Sequence, residues 1–418
     1  MTGFLFSPRV PKGAENANCV SVIDLGPAHL HVNCDSQEFE RLAADPSLIL
    51  SSNRTWQTRP LYPLLGKLLS EPIHLALVNS VSDQAVSTER QASTVRGRNQ
   101  AAFLPEYFGF VTLNFLLLLF SVLLFRRISG ATWVFDPLIL FPLAMIVVNQ
   151  VTKAFFWTPH LQIFNVFIPI VSFALFQRLL DRGHPLSWWR TGLVGLGVGI
   201  SFLAYGAFAV TAAGAAVCIM AARPRSASAK ELSTRAARAG LLLLTFLAPT
   251  AAWTSFVVYR TGSFYSHEIE HYRQFVWITD SLRTGGFLAL LGDLATKSGQ
   301  FVDTLRVVLP LSLLMATVLA GFLYVRGGLR EAVRGNQALL VAIAVYVLID
   351  VLFFWLMGYY ASRLTWTVVP AIALLLALEL QALDRTASDN GRRVLRGASV
   401  AATVLYVAYW YVRPGPWS

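Results

Sequence analysis

Two stretches of this 418-residue chain place side chains at spacings that can do chemistry. In the first, Asp35 and Glu38 stand three apart at the head of a short helical stretch ended by Pro46, with Asp35 or Ser36 as N-cap, so the two carboxylates share a face. They read either as a capped helix start with a solvated acid or as an acid turned toward a site. In the second, His267-Glu268-Ile269-Glu270-His271 satisfies H-E-x-x-H. On a helix that order puts two imidazoles on one face, able to hold zinc, with a glutamate as general base. A zinc peptidase needs a third ligand, for which His160 and Asp280 are the candidates. The other reading is a helical segment lying on a membrane surface through Ile269, Tyr272, Val276 and Trp277, covering a cavity from outside.

The elements that must position these residues are apolar. Hydrophobic residues make up 55% of the chain and charged ones only 14%, against roughly 25% in soluble domains, and the mean hydropathy is +0.55. This composition describes an all-α polytopic membrane protein. Apolar runs lie at about 108–125, 137–152, 161–177, 191–222, 239–258, 307–325, 337–357, 364–383 and 397–412. The run 191–222 is too long for one span and has arginines at both ends, so it predicts a hairpin of two short helices turning near Gly206. That makes about ten transmembrane helices.

Charge sets the expected topology. Arg126, Arg127, Arg178, Arg190, Arg235, Arg238, Arg334 and Arg385 are among seventeen basic residues in loops assigned inside, whereas Lys153, Arg363 and Arg413 fall outside. The net charge of +11 is therefore topological, and no nucleic-acid partner is inferred from it. This assignment leaves an extracytoplasmic N-terminal region over 1–105, a transmembrane helical domain over 106–418, one long outer loop at 259–306 and an outer C-terminus. Cys19 and Cys34 can pair only in an oxidising compartment, and Cys218 reads as a packing residue inside an apolar run. Asp350, within the apolar VLIDVLFFW, costs about 2.5–3.5 kcal/mol at a helix centre and calls for a partner on another helix or a wet cavity. Basic inner loops and no visible secretory signal suit a bacterial plasma membrane.

Three places give the chain a resemblance. An acid at Asp35 is followed by a short helix and then Arg59-Pro60-Leu61-Tyr62-Pro63. A Gly-rich pair of helices spans VGLGVGISFLAYGAFAVTAAG, and Arg363 stands in GYYASRLTWTVVP ahead of a Pro-containing helix. In these the chain resembles the GT-C-type membrane glycosyltransferases that use polyprenyl-phosphate sugars. That family places a membrane helix before its acidic loop, and no apolar run precedes Asp35 here, so the resemblance implies either a form lacking the first helix or a non-catalytic or transport-type membrane protein that keeps the same scaffold. It implies Asp35 as catalytic base, and Glu38, Arg59, Tyr62, Lys153, Trp157, His160 and Arg363 as residues around a lipid-linked sugar. Each cation has a plainer reading as an interfacial anchor, and Trp157 as part of the aromatic belt. No cofactor is implied with certainty. The donor substrate would be the polyprenyl-phosphate sugar, membrane lipid the surroundings, and the divalent-metal requirement stays open.

Overall fold

The computed structural model describes residues 2–8, 20–25, 28–51, 56–80, 104–181, 186–222, 228–308, 310–325 and 333–413. Cys19, the side chain of Cys34 and the Ser/Thr/Gln/Arg-rich stretch 81–100 lie outside the described residues. Cys218 is buried as a free thiol.

Among the described residues the chain is helical apart from one short antiparallel hairpin, in keeping with the all-α expectation. Strand β1 (Val20–Leu25) pairs with β2 (Ala28–Asn33), Val20 opposite Asn33 and Leu25 opposite Ala28. β2 runs directly into α1 (Cys34–Ala44). Asn33 and Ser36 form a reciprocal capping box, with Ser36 N–H donating to Asn33 Oδ1 at 2.8 Å. The cap thus lies before the residues expected from the sequence, and Asp35 sits in the first turn with its carboxylate not consumed by capping. Helix α2 (Leu61–Ser80) follows and packs along α3 (Leu104–Ser129). Gly109 lies against the Gly66 carbonyl, and His74 meets Glu106 at 2.8 Å across the same interface.

The remaining helices are α4 (Pro137–Val147), α5 (Gln150–Phe155), α6 (Phe164–Leu180), α7 (Trp188–Phe202), α8 (Phe208–Ala221), α9 (Ala229–Thr261), α10 (His267–Glu270), α11 (Val276–Val308), α12 (Pro310–Val325), α13 (Gln337–Met357), α14 (Val369–Thr386) and α15 (Asp389–Val412). Helix α6 packs against α3, α8 and α13, while α14 lies against α4 and α12. The core is one continuous apolar cluster through these helices.

Among the described residues five helical stretches are long and apolar enough to cross a membrane: Leu104–Ser129, Leu161–Leu180, Ala229–Thr261, Gln337–Met357 and Arg363–Thr386. This is consistent with an integral membrane protein. The expected hairpin is present, α7 and α8 breaking at 203–207 around Gly206. Its arms are about 22 Å and 21 Å long at 1.5 Å per residue, short of a bilayer core of about 30 Å. Helix α4 is cut short because Asn149 caps α5 with its own capping box. The span expected at 397–412 is the apolar half of α15, whose other half carries Asp389, Arg392, Arg393 and Arg396. The segment 259–306, expected as a long outer loop, is largely helix: it holds α10 and most of α11, which kinks at Gly286 where φ is 66°.

Helix α7 meets α9 through Gly195 and Gly199, one turn apart on one face. A Cβ at Gly195 would run into the Leu242 carbonyl oxygen and one at Gly199 into that of Phe246. Small residues let the two backbones approach closely. Gly199→Leu is expected to cost about 1–3 kcal/mol by overpacking and to lower the melting temperature in detergent. Gly197→Leu, which meets open space, serves as the matched control and should melt with the parent protein.

Candidate functional site

A cleft of about 760 Å³, open space at its mouth included, lies where the ends of several helices converge. Asp35 stands on its wall from the first turn of α1, its side chain 46% exposed. His160, only 5% exposed, lies beside it with Nε2 at 3.2 Å from Asp35 Oδ2. The other ring nitrogen settles the tautomer. His160 caps the 3-10 turn Leu161–Ile163, so its Nδ1 accepts from Gln162 N–H at 3.3 Å and the proton sits on Nε2, which donates to Asp35. Burial, together with the charges of Arg363 and Arg59, holds His160 below the usual imidazole range despite the Asp35 carboxylate. Burial also acts on Asp35, pushing its carboxyl up, but the His160 hydrogen bond and the charges of Arg363 and Arg59 outweigh it and leave Asp35 below its ordinary value. The pair is therefore a neutral imidazole supporting an ionised carboxylate at neutral pH.

Two arginines face this acid from different parts of the chain. Arg59 lies over the rings of Trp56 and Tyr205 at 5.7 and 5.4 Å and pairs with Glu268 at 2.8 Å. Its segment is fixed by Gln57: Trp253 Nε1 donates to the Gln57 carbonyl at 2.7 Å, and Tyr265 N–H to Gln57 Oε1 at 3.0 Å. Arg363 differs. It begins the span that includes α14, lines the cleft, and has a buried Nε with no hydrogen-bond partner among the described residues. A planar cation with an unused donor beside an acid suits an incoming anion.

Asn165 joins the pieces. Fully buried in the first turn of α6, it accepts from Tyr205 Oη at 2.8 Å and donates to the Arg363 carbonyl at 2.9 Å and to Gln162 Oε1 at 2.5 Å. One amide thus ties the break of the α7–α8 hairpin, the Arg363 turn and the His160 turn. Nothing in its place in the sequence distinguishes it from any polar residue at a helix start. Asn165→Ala strands the Tyr205 hydroxyl and a backbone carbonyl, at about 1–3 kcal/mol for each orphaned group. Thermal melting is expected to drop accordingly, and Asn165→Asp, which keeps the acceptor for Tyr205 but loses both donors, should recover only part of the loss.

The other sequence candidates fall elsewhere. Glu38 faces Arg41 at 4.0 Å on α1 and does not line the cleft. Tyr62 is fully buried between Phe39 and Phe110, with ring centroids at 4.7 and 4.8 Å, where it supports α1 from beneath. Lys153 is buried and donates to the carbonyls of Trp410, at 2.8 Å, and Arg413, capping the last turn of α15. Burial and the nearby Arg413 pull it down to about 8. Trp157 packs on Phe156, and its carbonyl accepts from the Tyr107 hydroxyl. Asp350 accepts from Thr367 Oγ1 at 2.8 Å and from Tyr346 at 3.3 Å, so its partner is on another element.

The H-E-x-x-H residues are not arranged for zinc. Helix α10 is four residues long, the rings of His267 and His271 stack at 4.7 Å, and Glu268 is held by Arg59 and by Thr58 at 3.0 Å. Among the described residues no three His, Cys, Asp or Glu side chains gather to ligate a metal. Instead His267, Glu268, Tyr272 and Gln274 form one wall of the cleft. Trp56, Tyr205 and Tyr359 complete its aromatic lining, a contribution that only the tertiary fold reveals.

Comparisons with family models, curated proteins and solved structures gave no match for this chain.

Proposed function

We propose that this protein is a membrane glycosyltransferase of GT-C-like design that transfers a sugar from a polyprenyl phosphate to a hydroxyl acceptor at the membrane edge. The observation that carries the reading is the meeting, in one aromatic-walled cleft, of a carboxylate held below its ordinary range with two arginines, one of them with a buried Nε that has no hydrogen-bond partner among the described residues. A lipid-linked donor also needs a site at the bilayer rim. His160 and Arg363 each stand at the start of a spanning stretch, and Met357, at the end of another, lines the same cleft.

The reaction divides among these groups. Asp35 accepts the proton of the acceptor hydroxyl as its oxygen bonds to the anomeric carbon. The bond from that carbon to the phosphate oxygen breaks, and the phosphate leaves with the electron pair. Arg363 and Arg59 hold the charge that develops on it. His160 holds Asp35 in its ionised state and orientation, and Tyr272, an exposed aromatic side chain on the cleft wall, offers a ring to the sugar. Glu268 pairs with Arg59 at 2.8 Å, so the donor phosphate competes with it for that guanidinium.

Topology supports an extracytoplasmic cleft. The spans ending at the cleft carry most of their arginines at the far end, Arg178 on α6, Arg235 and Arg238 on α9, Arg334 before α13 and Arg385 on α14, against Arg260 and Arg363 at the near end. With basic ends inside, the cleft, the N-terminal region and the C-terminus face outward from a bacterial plasma membrane. The short helices α4, α7, α8 and α12 with α15 bring the crossings to about ten.

The test is incubation of purified protein in detergent with labelled polyprenyl-phosphate glucose, galactose or mannose. Release of free polyprenyl phosphate, dependent on protein and on Asp35, is the expected result. Neither binding nor release with any of the three would remove the transferase reading.

A further inference from the structure

At the ends of α3 and α6 remote from the cleft, a separate open groove of about 1330 Å³ runs between the two helices. Leu124, Ile128 and Leu175 form its apolar walls, and Arg127, Arg178 and Asp181 stand at its rim. Arg127 and Arg178 are exposed and make no side-chain hydrogen bond or ion pair among the described residues. The neighbouring Arg126 shows the contrast, since it folds back onto the carbonyls of Ala131 and Thr132. Above the rim on α3, Leu119, Phe120 and Leu123 are exposed, extending the apolar track about 12 Å along a helix long enough to cross a bilayer.

We infer that this groove binds one membrane phospholipid with a monoanionic headgroup, its phosphodiester between Arg127 and Arg178 and an acyl chain along the α3–α6 seam. The charge balance selects the headgroup. Among the described residues two guanidinium groups and one carboxylate leave a single positive charge, which matches one phosphodiester rather than a dianionic phosphomonoester. Arginine forks suit the phosphate oxygens, and basic grooves between spanning helices are where anionic headgroups settle. A second groove on the other side of Asp181 offers a comparison. It is also large, about 1150 Å³, but among the described residues Arg334 is its one arginine and Asp181 cancels that charge. The inference rests on the groove and the helix lengths, and it stands or falls independently of the transferase reading.

Native mass spectrometry of the delipidated full chain, with phosphatidylglycerol or phosphatidylcholine added back at equal concentration, tests it. At least tenfold greater occupancy by phosphatidylglycerol is expected, with one lipid retained per chain. The preference should vanish in Arg127→Gln/Arg178→Gln and persist in Arg334→Gln. Ala174→Phe, which fills the groove without changing its charge, should abolish retention and guards against a charge variant that fails to fold. Equal occupancy by the two lipids, an unchanged preference in the double variant, or retention in Ala174→Phe overturns the site. Stronger retention of phosphatidic acid than of phosphatidylglycerol overturns the monoanionic assignment.

Discussion

Asp35→Asn is expected to lower the rate of sugar transfer by about 10²–10⁴-fold, the range over which a positioned general base acts, while leaving the melting temperature close to that of the parent. The two readouts separate because of how Asp35 is held. Its cap function is already taken by Asn33, its side chain is half exposed, and an asparagine carbonyl still accepts from His160 Nε2. Only the capacity to take a proton is lost. The pH profile gives a second check. Asp35 is active when ionised and lies below the ordinary carboxylate range, so activity should persist into acid and fall only as pH drops through that lowered value. His160→Gln removes the imidazole that helps keep Asp35 ionised. Burial then raises the carboxyl against the two arginines alone, and the acid limb should move to higher pH. An acid limb that stays in place when His160 is replaced would detach His160 from Asp35 function. Full transfer by Asp35→Asn would detach Asp35 from the chemistry.

How much of this was visible beforehand depends on whether local or tertiary forces place each residue. The hairpin turn near Gly206 was legible because a 32-residue apolar run flanked by arginines has few ways to sit in a bilayer. His160 and Arg363 were legible as polar residues at the rims of apolar runs, Asp35 and Arg59 through the order of an acid, a short helix and Arg-Pro-Leu-Tyr-Pro, and the fold brings all four into one cleft. Lys153 had the same local signature. What removes it from the cleft is a partner 257 residues away, the Trp410 carbonyl, which no local pattern encodes. Tyr62 sits in a motif that invites a binding role, yet the close approach of Gly66 and Gly109 draws α2 onto α3 and buries it. The H-E-x-x-H stretch misleads for a related reason. Its ligand geometry requires a helix longer than the single turn of α10, and its glutamate finds a stronger partner in Arg59. The segment 259–306 was expected as loop because its charges interrupt the apolar pattern of a span. Its Leu- and Ala-rich turns nonetheless form α11, whose many exposed apolar side chains, Phe287 and Leu288 among them, have no counterpart in a solvated loop.

Arg363 and Arg59 line the same cleft but should respond differently to substitution, and the difference isolates the phosphate grip. Arg363→Gln is expected to weaken binding of polyprenyl phosphate, and to lower kcat/KM for the donor, by about 10–100-fold. That corresponds to the loss of a charge-assisted hydrogen bond of about 1.5–3 kcal/mol. Because the buried Nε has no hydrogen-bond partner among the described residues, the substitution breaks no hydrogen bond there, Asp35 keeps its bond to His160, and the fold should keep its melting temperature. Arg363→Lys restores charge without the fork and should recover part of the binding. Arg59→Gln instead leaves Glu268, whose side chain is 15% exposed, without its cation. That variant should melt lower as well as turn over more slowly, since removing one partner of a partly buried pair costs more than the pair contributes. If the phosphate contact forms chiefly in the transition state, Arg363→Gln will reduce kcat; if it forms already in the bound donor, KM will rise with kcat unchanged. Donor kinetics and product inhibition by polyprenyl phosphate, measured side by side for the three variants, distinguish these cases. An Arg363→Gln protein that binds polyprenyl phosphate as tightly as the parent would show that its unused donor serves no anion.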